Sequence, residues 1–261
     1  MSDETLRVFI VDDEAPARLR LKALLADIAG SLPNRISGEA ADGREAIERL
    51  QETPADVVLI DIRMPRMDGI ELARHLAHLS PAPAIVFVTA YDRYAVTAFE
   101  LNAADYLLKP VRAARLEAAL RKAAAAPPPA EDALRRLSGE ARRHLASTEH
   151  GRLLLVPVAD ILYLKAELKY VTARTRSREF ILDDALTRLE EEFAGRFIRI
   201  HRNCLVARDA IAGFERAEDG GAESHWRLLL HGLDEKLAVS RRQWPAVKDV
   251  IQRAARETGR G

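Results

Sequence analysis

The amino-acid sequence predicts two domains of different class: an α/β first half with a five-stranded parallel, doubly wound, flavodoxin-like sheet, and a mostly β second half. Two observations predict this division. In the first half, five short apolar runs alternate with helical patterns, which is typical of a parallel sheet covered on both faces. In the second half, short apolar runs follow one another closely with little helix between them, which favours antiparallel strands.

The apolar runs of the first half are predicted strands, each followed by a predicted helix. The run Val57–Ile60 is continuous, as expected of a strand buried on both faces. The predicted strands are Leu6–Val11, Arg35–Ala41, Asp56–Ile60, Ala84–Val88 and Ala104–Leu108. The predicted helices comprise a leucine-rich stretch around 19–28, then Gly43–Leu50, Ile70–Leu79, Tyr91–Leu101 and Val111–Ala125.

Chemically active side chains follow four of these strands. Asp12 and Asp13 follow the first, Asp61 the third, Thr89 the fourth and Lys109 the fifth. In parallel sheets the functional site lies beyond the carboxyl ends of the strands, so these groups should converge at one edge. Carboxylate oxygens are ligands for Mg²⁺, and a carboxylate can accept a phosphoryl group once nearby cations offset the developing charge. The sequence therefore predicts a divalent-metal and phosphoryl site.

Residues 125–149 are predicted to be a linker. The run AAAAPPPA cannot continue a helix, because its prolines remove hydrogen-bond donors. Leu134, Leu137, Ala141 and Leu145 then recur at helical spacing and predict a short amphipathic helix. A solvated spacer is the alternative.

The second half contains nine predicted strands and two predicted helices. Asp183 or Asp184 can cap the first helix, whose apolar face contains Leu186, Leu189 and Phe193. The second helix is expected over Arg241–Ala254. The predicted strands are Leu153–Val156, Ile161–Leu164, Tyr170–Arg174, Phe180–Leu182, Phe197–His201, Leu205–Ala207, Ile211–Phe214, Trp226–Leu230 and Leu237–Val239.

Composition excludes several classes of protein. The chain has 261 residues and is 48% hydrophobic, so global disorder is not expected. No apolar run of about 18 residues predicts a membrane span, and the acidic start does not resemble a secretory signal. The single Cys204 suggests a reducing, cytoplasmic location and a small core side chain. Residues 1–122 carry 16 basic and 19 acidic side chains, and residues 150–261 carry 20 and 17, which permits an acidic half and a basic half.

Residues 5–124 resemble the receiver domain of two-component response regulators. The resemblance rests on VDDE at 11–14, DIRMPRMDG at 61–69, TAYD at 89–92 and DYLLKP at 105–110. It implies that Asp61 accepts the phosphoryl group and that Thr89 and Lys109 hold the phosphoryl oxygens. It further implies a switch role for Tyr106 and a cis bond between Lys109 and Pro110. It also implies that Asp12 or Asp13, or both, bind Mg²⁺ together with Asp61 and the backbone carbonyl of Arg63.

Residues 150–253 resemble the LytTR type of DNA-binding domain, found in the LytR/AlgR family of response regulators. The matching segments are VPVADILYLKAELKYV at 156–171, LTRLEEEF at 186–193, FIRIHRNCLV at 197–206 and LAVSRRQW at 237–244. The resemblance implies double-stranded DNA as partner, with base-contacting residues at Lys169 or Tyr170, at Arg202 and at Arg241. Ala207 departs from the family, which often has Asn there.

Simpler interpretations remain open for the same residues. Asp12 and Asp13 could serve merely as caps of the first helix, and Thr89 and Tyr106 could merely pack in the core. Lys109 could be a solvated charge. Arg202 and Arg241 could be ordinary surface arginines rather than guanine or phosphate ligands. Lys169 could likewise be solvated.

Together the two resemblances imply a phosphorylation-regulated transcription factor and not an enzyme with a separate substrate. The implied partners are a sensor histidine kinase, promoter DNA repeats and a second copy of the chain, with no membrane. Two alternatives are a receiver whose β half binds protein and a receiver coupled to an enzyme. The second is the weaker, because residues 150–261 contain no recognisable catalytic constellation.

Overall fold

The computed structural model describes residues 5–90, 104–125, 141–167, 169–217 and 225–258. The chain divides into two compact units, Met1–Glu140 and Ala141–Gly261. No helix within the described ranges has both the length and the apolar character needed to cross a membrane.

The first unit is built on a parallel five-stranded sheet with the strand order β2-β1-β3-β4-β5. This confirms the predicted fold class and places every predicted strand within one residue at each end. Because β1 has β2 on one side and β3 on the other, the strand order reverses there and opens a crevice at the carboxyl ends. The strands are β1 Leu6–Val11, β2 Asn34–Ala40, β3 Val57–Ile60, β4 Ala84–Thr89 and β5 Asp105–Leu108.

Four helices of the first unit are described: α1 Ala15–Asp27, α2 Gly43–Glu52, α3 Gly69–Leu76 and α4 Ala113–Ala125. Two of them start at an aspartate cap, because the carboxylates of Asp42 and Asp68 accept backbone N–H groups of the first turns of α2 and α3. The predicted helix Tyr91–Leu101 lies outside the described residues. β3 and β4 are buried along their whole length, as the continuous apolar runs predict.

The second unit contains a hairpin, a five-stranded antiparallel sheet of order β10-β9-β8-β12-β11 and a three-stranded sheet β13-β14-β15. Successive residues of β12 face opposite sides, so the five-stranded sheet is buried on both faces: Leu205 packs beside α5, and Val206 packs beside the three-stranded sheet and α6. The elements are β6 His144–Glu149, β7 Arg152–Pro157, β8 Tyr163–Glu167, β9 Tyr170–Arg174, β10 Glu179–Leu182, α5 Leu186–Glu192, β11 Phe197–His201, β12 Cys204–Ala207, β13 Ile211–Ala217, β14 His225–Leu230, β15 Leu233–Val239 and α6 Trp244–Thr258.

The predicted linker is wrong at its carboxyl end. His144–Glu149 is strand β6, paired with β7, so the helical pattern does not continue through Leu145 and the second unit begins before residue 150. The two strands are joined at His150 and Gly151, whose φ angles of 51° and 76° suit the type I′ turn that matches strand twist. Residues 126–140, with the remainder of the predicted helix, lie outside the described residues.

The predicted cap of α5 is also wrong. The N-cap residue is Ala185, and it makes no side-chain cap hydrogen bond. The carboxylate of Asp184 instead accepts a hydrogen bond of 2.6 Å from Arg142, a guanidinium with 1% of its side chain exposed. A buried cation needs an anionic partner more than a helix end needs a cap, because unpaired buried charge is far more costly.

Candidate functional site

Two neighbouring strands of the first unit bring their terminal carboxylates together. Asp12 follows β1 and Asp61 follows β3, and the N–H of Asp61 donates to the carbonyl of Val11 at 2.9 Å. One carboxylate oxygen from each of Asp12, Asp13 and Asp61 lies within 4.8 Å of the others. The side chains that the sequence places at separate strand ends therefore form one acidic pocket.

Lys109 is the cation of this pocket. Its Nζ donates to Asp12 Oδ2 at 2.8 Å and to Asp61 Oδ2 at 2.9 Å. Its backbone N–H donates to the carbonyl of Thr89 at 2.8 Å, which fixes Lys109 at the end of the sheet. The bond between Lys109 and Pro110 is cis, as the resemblance implied.

Burial and hydrogen bonding shift the pKa values of Asp12 and Lys109. Burial raises the pKa of Asp12, which is fully buried, and the Lys109 and Glu14 N–H hydrogen bonds offset only part of that effect. Burial alone would lower the pKa of Lys109, but its hydrogen bonds to Asp12 and Asp61 outweigh burial and raise it. Lys109 thus offsets only part of the cost of burying the Asp12 carboxylate, and a further cation beside Asp12 would stabilise its charged form.

The donor set fits Mg²⁺. All the clustered ligand atoms are carboxylate oxygens, which this hard cation prefers, and Asp13 is exposed, so the pocket is open to the water that Mg²⁺ usually retains. Among the ion pairs that the structure describes, Lys109 is paired with Asp12 and Asp61, and Asp13 is the third carboxylate of the cluster. The predicted fourth ligand, the carbonyl of Arg63, belongs to the loop after Asp61 and remains a prediction.

The two predicted switch residues lie on β4 and β5. Thr89 is fully buried at the end of β4, opposite Leu108 of β5. Tyr106 is half-buried on β5, opposite Phe87. The structure places both near the edge where Lys109 lies, and their roles as phosphoryl ligand and switch remain predictions.

Two further residues shape the pocket, and the sequence reasoning did not assign them a role there. A Cβ at Gly69 would lie 2.1 Å from the carbonyl oxygen of Asp61, so only glycine permits this close approach of α3. Arg18 donates from Nη1 to the carbonyl of Asp12 at 2.7 Å. Gly69 could have been found as a glycine opening a helix directly behind the acidic loop, but no sequence pattern links Arg18 to Asp12.

In the second unit the predicted DNA-contacting residues lie near one end of the five-stranded sheet. Lys169 and Tyr170 are exposed at the β8–β9 turn, and Arg202 is exposed at the β11–β12 turn. The two turns are neighbours because β8 pairs with β12, and the N–H of Ala166 donates to the carbonyl of Asn203 at 2.8 Å. Arg241 is exposed next to Ser240, whose N–H donates to the carbonyl of Ile200 on β11 at 2.9 Å.

Comparison with known proteins covers both units. Residues 8–121 match the response regulator receiver domain, and residues 151–252 match the LytTr DNA-binding domain. Over 256 residues the chain is 39% identical to the positive alginate biosynthesis regulatory protein of Pseudomonas aeruginosa, covering 94% of this chain and 99% of that protein. Over 250 residues it is 34% identical to the transcriptional regulatory protein BtsR of Salmonella typhi, covering 94% and 99%. A solved receiver, the response regulatory domain of mrkE from Klebsiella pneumoniae, is 36% identical, with 46% of this chain and 96% of that chain covered and a TM-score of 0.41.

Proposed function

The chain belongs to the response regulators that join a receiver domain to a LytTR DNA-binding domain, and on that premise we propose that phosphorylation of Asp61 controls its binding to promoter DNA. The family consists of two-component transcription regulators rather than conventional enzymes. The observation that carries the proposal is the hydrogen-bonded pocket in which Lys109 joins Asp12 and Asp61 beside Asp13.

Asp61 is the carboxylate of this pocket best suited to accept the group. Asp12 is fully buried, so a phosphoryl donor cannot reach it, whereas Asp61 is 8% exposed. Asp13 is open to solvent, and no described hydrogen bond holds its carboxylate at Lys109. Asp61 therefore combines access with a cation 2.9 Å away.

In the transfer, an oxygen of Asp61 attacks the phosphorus of a phosphohistidine on the sensor kinase. The phosphorus–nitrogen bond breaks, and the imidazole leaves with a proton taken from solvent. Asp12, Asp13, Asp61 and the Arg63 carbonyl would hold Mg²⁺, which would offset charge on the phosphoryl oxygens. Lys109 would hold one phosphoryl oxygen by its ammonium, and Thr89 would donate its hydroxyl to another.

The new charge would alter the contacts of Lys109. A phosphoryl group adds about −1.5 to −2 charge at neutral pH. Lys109 now divides its donors between Asp12 and Asp61, so a phosphorylated Asp61 offers it new acceptor oxygens. Thr89 and Tyr106, on β4 and β5, are the proposed switch residues that respond.

The proposed output is a cytoplasmic homodimer on repeated DNA half-sites. Lys169, Tyr170, Arg202 and Arg241 are the proposed DNA contacts, and their exposure near one end of the five-stranded sheet supports a common surface. Joining two such surfaces raises affinity through effective concentration, without any new base contact. DNA affinity should fall steeply with salt, because phosphate neutralisation releases counterions.

Labelling with acetyl phosphate and Mg²⁺ tests the acceptor. The wild type should become labelled, and Asp61→Asn should not. Asp56→Asn is the matched control, because Asp56 lies at the opposite end of β3 and should leave labelling intact. Undiminished labelling of Asp61→Asn would place the acceptor at another residue.

A gel-shift assay on DNA selected from random sequence tests the DNA contacts. Arg202→Ala and Arg241→Ala should each weaken binding to the selected site. Arg178→Ala serves as the control, because Arg178 lies between β9 and β10, at the other end of β9 from Lys169. If both test variants bind like the control, the assigned base contacts are wrong.

A further inference from the structure

The turn that carries Arg202 lacks the backbone geometry that usually stabilises so short a connection. Arg202 and Asn203 alone join β11 to β12. Two-residue hairpin turns favour types I′ and II′, in which the first central residue has a positive φ. Neither Arg202 nor Asn203 has a positive φ, and the strand register shifts between Arg199 and His201. One local hydrogen bond joins His201 Nδ1 to the Asn203 side-chain oxygen. The other side-chain contacts that hold the turn come from outside it.

Arg199 supplies such a contact on one side. Its Nη1 donates to the carbonyl oxygen of Arg202 at 2.7 Å. Its Nε and Nη2 donate to Glu190 Oε2 on α5 at 2.8 and 2.6 Å. The Arg199 side chain is only 15% exposed. Because a guanidinium is planar and rigid, fixing one side of it on Glu190 fixes the donor that holds Arg202.

Asn203 anchors the turn on the other side. The N–H of Ala166 on β8 donates to the Asn203 carbonyl at 2.8 Å, and Asn203 Nδ2 donates back to the Ala166 carbonyl at 3.3 Å. The Arg202 guanidinium is exposed and makes no hydrogen bond or ion pair with any residue that the structure describes. The backbone of the turn is therefore held while its cationic side chain stays available.

We propose that Arg199 is a positioning residue for DNA recognition: held by Glu190, it fixes the carbonyl of Arg202 and so the direction in which Arg202 meets DNA. This inference rests on the proposed contact between Arg202 and DNA. Fixing the backbone before binding reduces the ordering entropy that the contact would otherwise require. Arg199 itself does not touch the DNA.

The test compares full-length variants on a selected DNA site and on a scrambled site of equal length. Arg199→Gln should weaken binding to the selected site by about tenfold to a hundredfold, the range of one misplaced bidentate base contact. Arg178→Gln is the matched control. Like Arg199→Gln, it removes one positive charge and breaks one arginine–glutamate ion pair, here the exposed pair of Arg178 with Glu149. On the scrambled site the two variants should bind alike. Tryptophan fluorescence on unfolding verifies that each variant is folded.

Glu190→Gln should produce a smaller loss of the same kind, since it removes the anchor of Arg199 and leaves both arginines present. Arg199→Lys should not restore selectivity, because an ammonium does not reproduce the fork that joins Glu190 to the Arg202 carbonyl. Combined with Arg202→Ala, Arg199→Gln should cost little beyond the larger single loss, because both act through one contact.

The outcomes separate the two proposals. Additive losses in the double variant, or full rescue by lysine, would mean that Arg199 acts as a charge and would overturn the positioning role. If Arg202→Ala weakens binding while Arg199→Gln matches Arg178→Gln, only the positioning role is lost. If Arg202→Ala leaves binding unchanged, the proposed DNA contact fails and the positioning role fails with it.

Discussion

Lys109 is the residue on which the charge balance of the acidic pocket depends. Within the part of the chain that the structure describes, its Nζ lies within hydrogen-bonding distance of both Asp12 and Asp61, and those carboxylates are almost completely buried. Removing one partner of a buried ion pair costs more free energy than the intact pair contributes to stability, because the remaining charge stays buried without a partner. Loss of Lys109 would therefore leave Asp12 and Asp61 without their shared ion-pair partner.

Replacing Lys109 by methionine should lower the stability of the first unit by about 2–3 kcal/mol without Mg²⁺. This lies somewhat below the roughly 3–5 kcal/mol for a fully buried pair, because the Lys109 side chain is 22% exposed. Mg²⁺ should then stabilise the variant more than the wild type, since the metal replaces a missing cation. Thermal unfolding by circular dichroism with and without MgCl₂ measures both effects. The exposed Lys122→Met is the control; an equal Mg²⁺ effect in all three proteins would contradict the argument.

Asp56 predicts a pH dependence at the other end of β3. Hydrogen bonds from the Arg7 side chain lower the pKa of Asp56 against the opposing effect of burial, and the N–H of Arg7 adds a bond of 2.7 Å. A lowered folded-state pKa means that this stabilisation is present above the unfolded pKa and is lost as the pH falls through the folded pKa. At pH 7 the free energy of unfolding of the wild type should thus exceed that of Asp56→Asn by about 1 kcal/mol or less, because the Arg7–Asp56 ion pair is one-third exposed. Urea unfolding should show that difference shrinking as the pH falls below about 3.9, the ordinary pKa of an unfolded aspartate. A constant difference would be inconsistent with the charge effect.

For individual residues, the sequence predicts the position of side chains that directly follow strands. It misses side chains whose position depends on a partner distant in the sequence. The sequence predicts that the side chains directly after parallel strands converge, because such strands end at one edge of the sheet. These residues are Asp12, Asp13, Asp61 and Lys109. Arg199 is not, because its partners are a carboxylate on a helix and a backbone carbonyl, and neither leaves a spacing pattern. The roles of Thr89 and Tyr106 remain predictions.

Among the elements, α5 shows why a short helix can be important for its charges. Two apolar side chains, Leu186 and Leu189, bury it against the sheet. Its acidic residues bind arginines from elsewhere in the unit: Glu190 binds Arg199, and Glu192 binds Arg142 with contacts from both carboxylate oxygens. The helix thus joins the start of the second unit to the β11–β12 turn.

Breaking the Arg142 cluster should destabilise the second unit strongly. Arg142, Asp184 and Glu192 are each less than a tenth exposed, so Arg142→Met leaves two buried carboxylates and should cost about 3–5 kcal/mol. Converting Asp184 and Glu192 to leucine and methionine as well should recover most of the loss, because an apolar cluster needs no charge partner. Both tryptophans, Trp226 and Trp244, lie in this unit, so their fluorescence during urea unfolding measures the stability of this unit. A triple variant no more stable than Arg142→Met would contradict this account.

A strand or helix can be predicted from the sequence when its local residue pattern agrees with the contacts that the element makes in the folded chain. The buried strands β3 and β4 are predicted because both faces are covered and the runs are continuous. β6 is missed because Leu145 fits an i, i+4 spacing by coincidence, while its pairing with β7 is decided by the His150–Gly151 turn. The Asp184 cap fails for a similar reason, since a tertiary partner outcompetes a local one.

For the molecule as a whole, the sequence predicts both domains and their classes, because each carries its own periodicity. The carboxyl-terminal unit starts earlier than predicted, at its first strand, β6. What the sequence does not provide is the state of assembly, since no residue pattern in either unit distinguishes a monomer from a dimer. The homodimer that the family resemblance implies is therefore a proposal, tied to the proposed link between phosphorylation and repeated DNA sites.

The spacing of DNA half-sites provides the final prediction. If phosphorylation pairs two chains, light scattering should show a doubled mass with acetyl phosphate and Mg²⁺ for the wild type but not for Asp61→Asn. The paired form must match half-sites on one face of DNA, whose helical repeat is about 10 base pairs. Inserting 5 base pairs between half-sites should therefore weaken binding of the phosphorylated wild type by at least about tenfold. Avidity gains start at about a hundredfold, and a flexible linker would let the chains keep part of that gain. Inserting 10 base pairs should restore most of the affinity.

Asp61→Asn is the control for this spacing series, because each of its chains should bind a half-site separately and ignore the insertion. Binding that is equally insensitive to spacing in the phosphorylated wild type would mean that the chains do not act as a rigid pair. Binding that depends on spacing in both proteins would mean that pairing occurs on DNA without phosphorylation. The periodicity of affinity with spacing thus distinguishes a switch in assembly from a switch in the DNA contacts themselves.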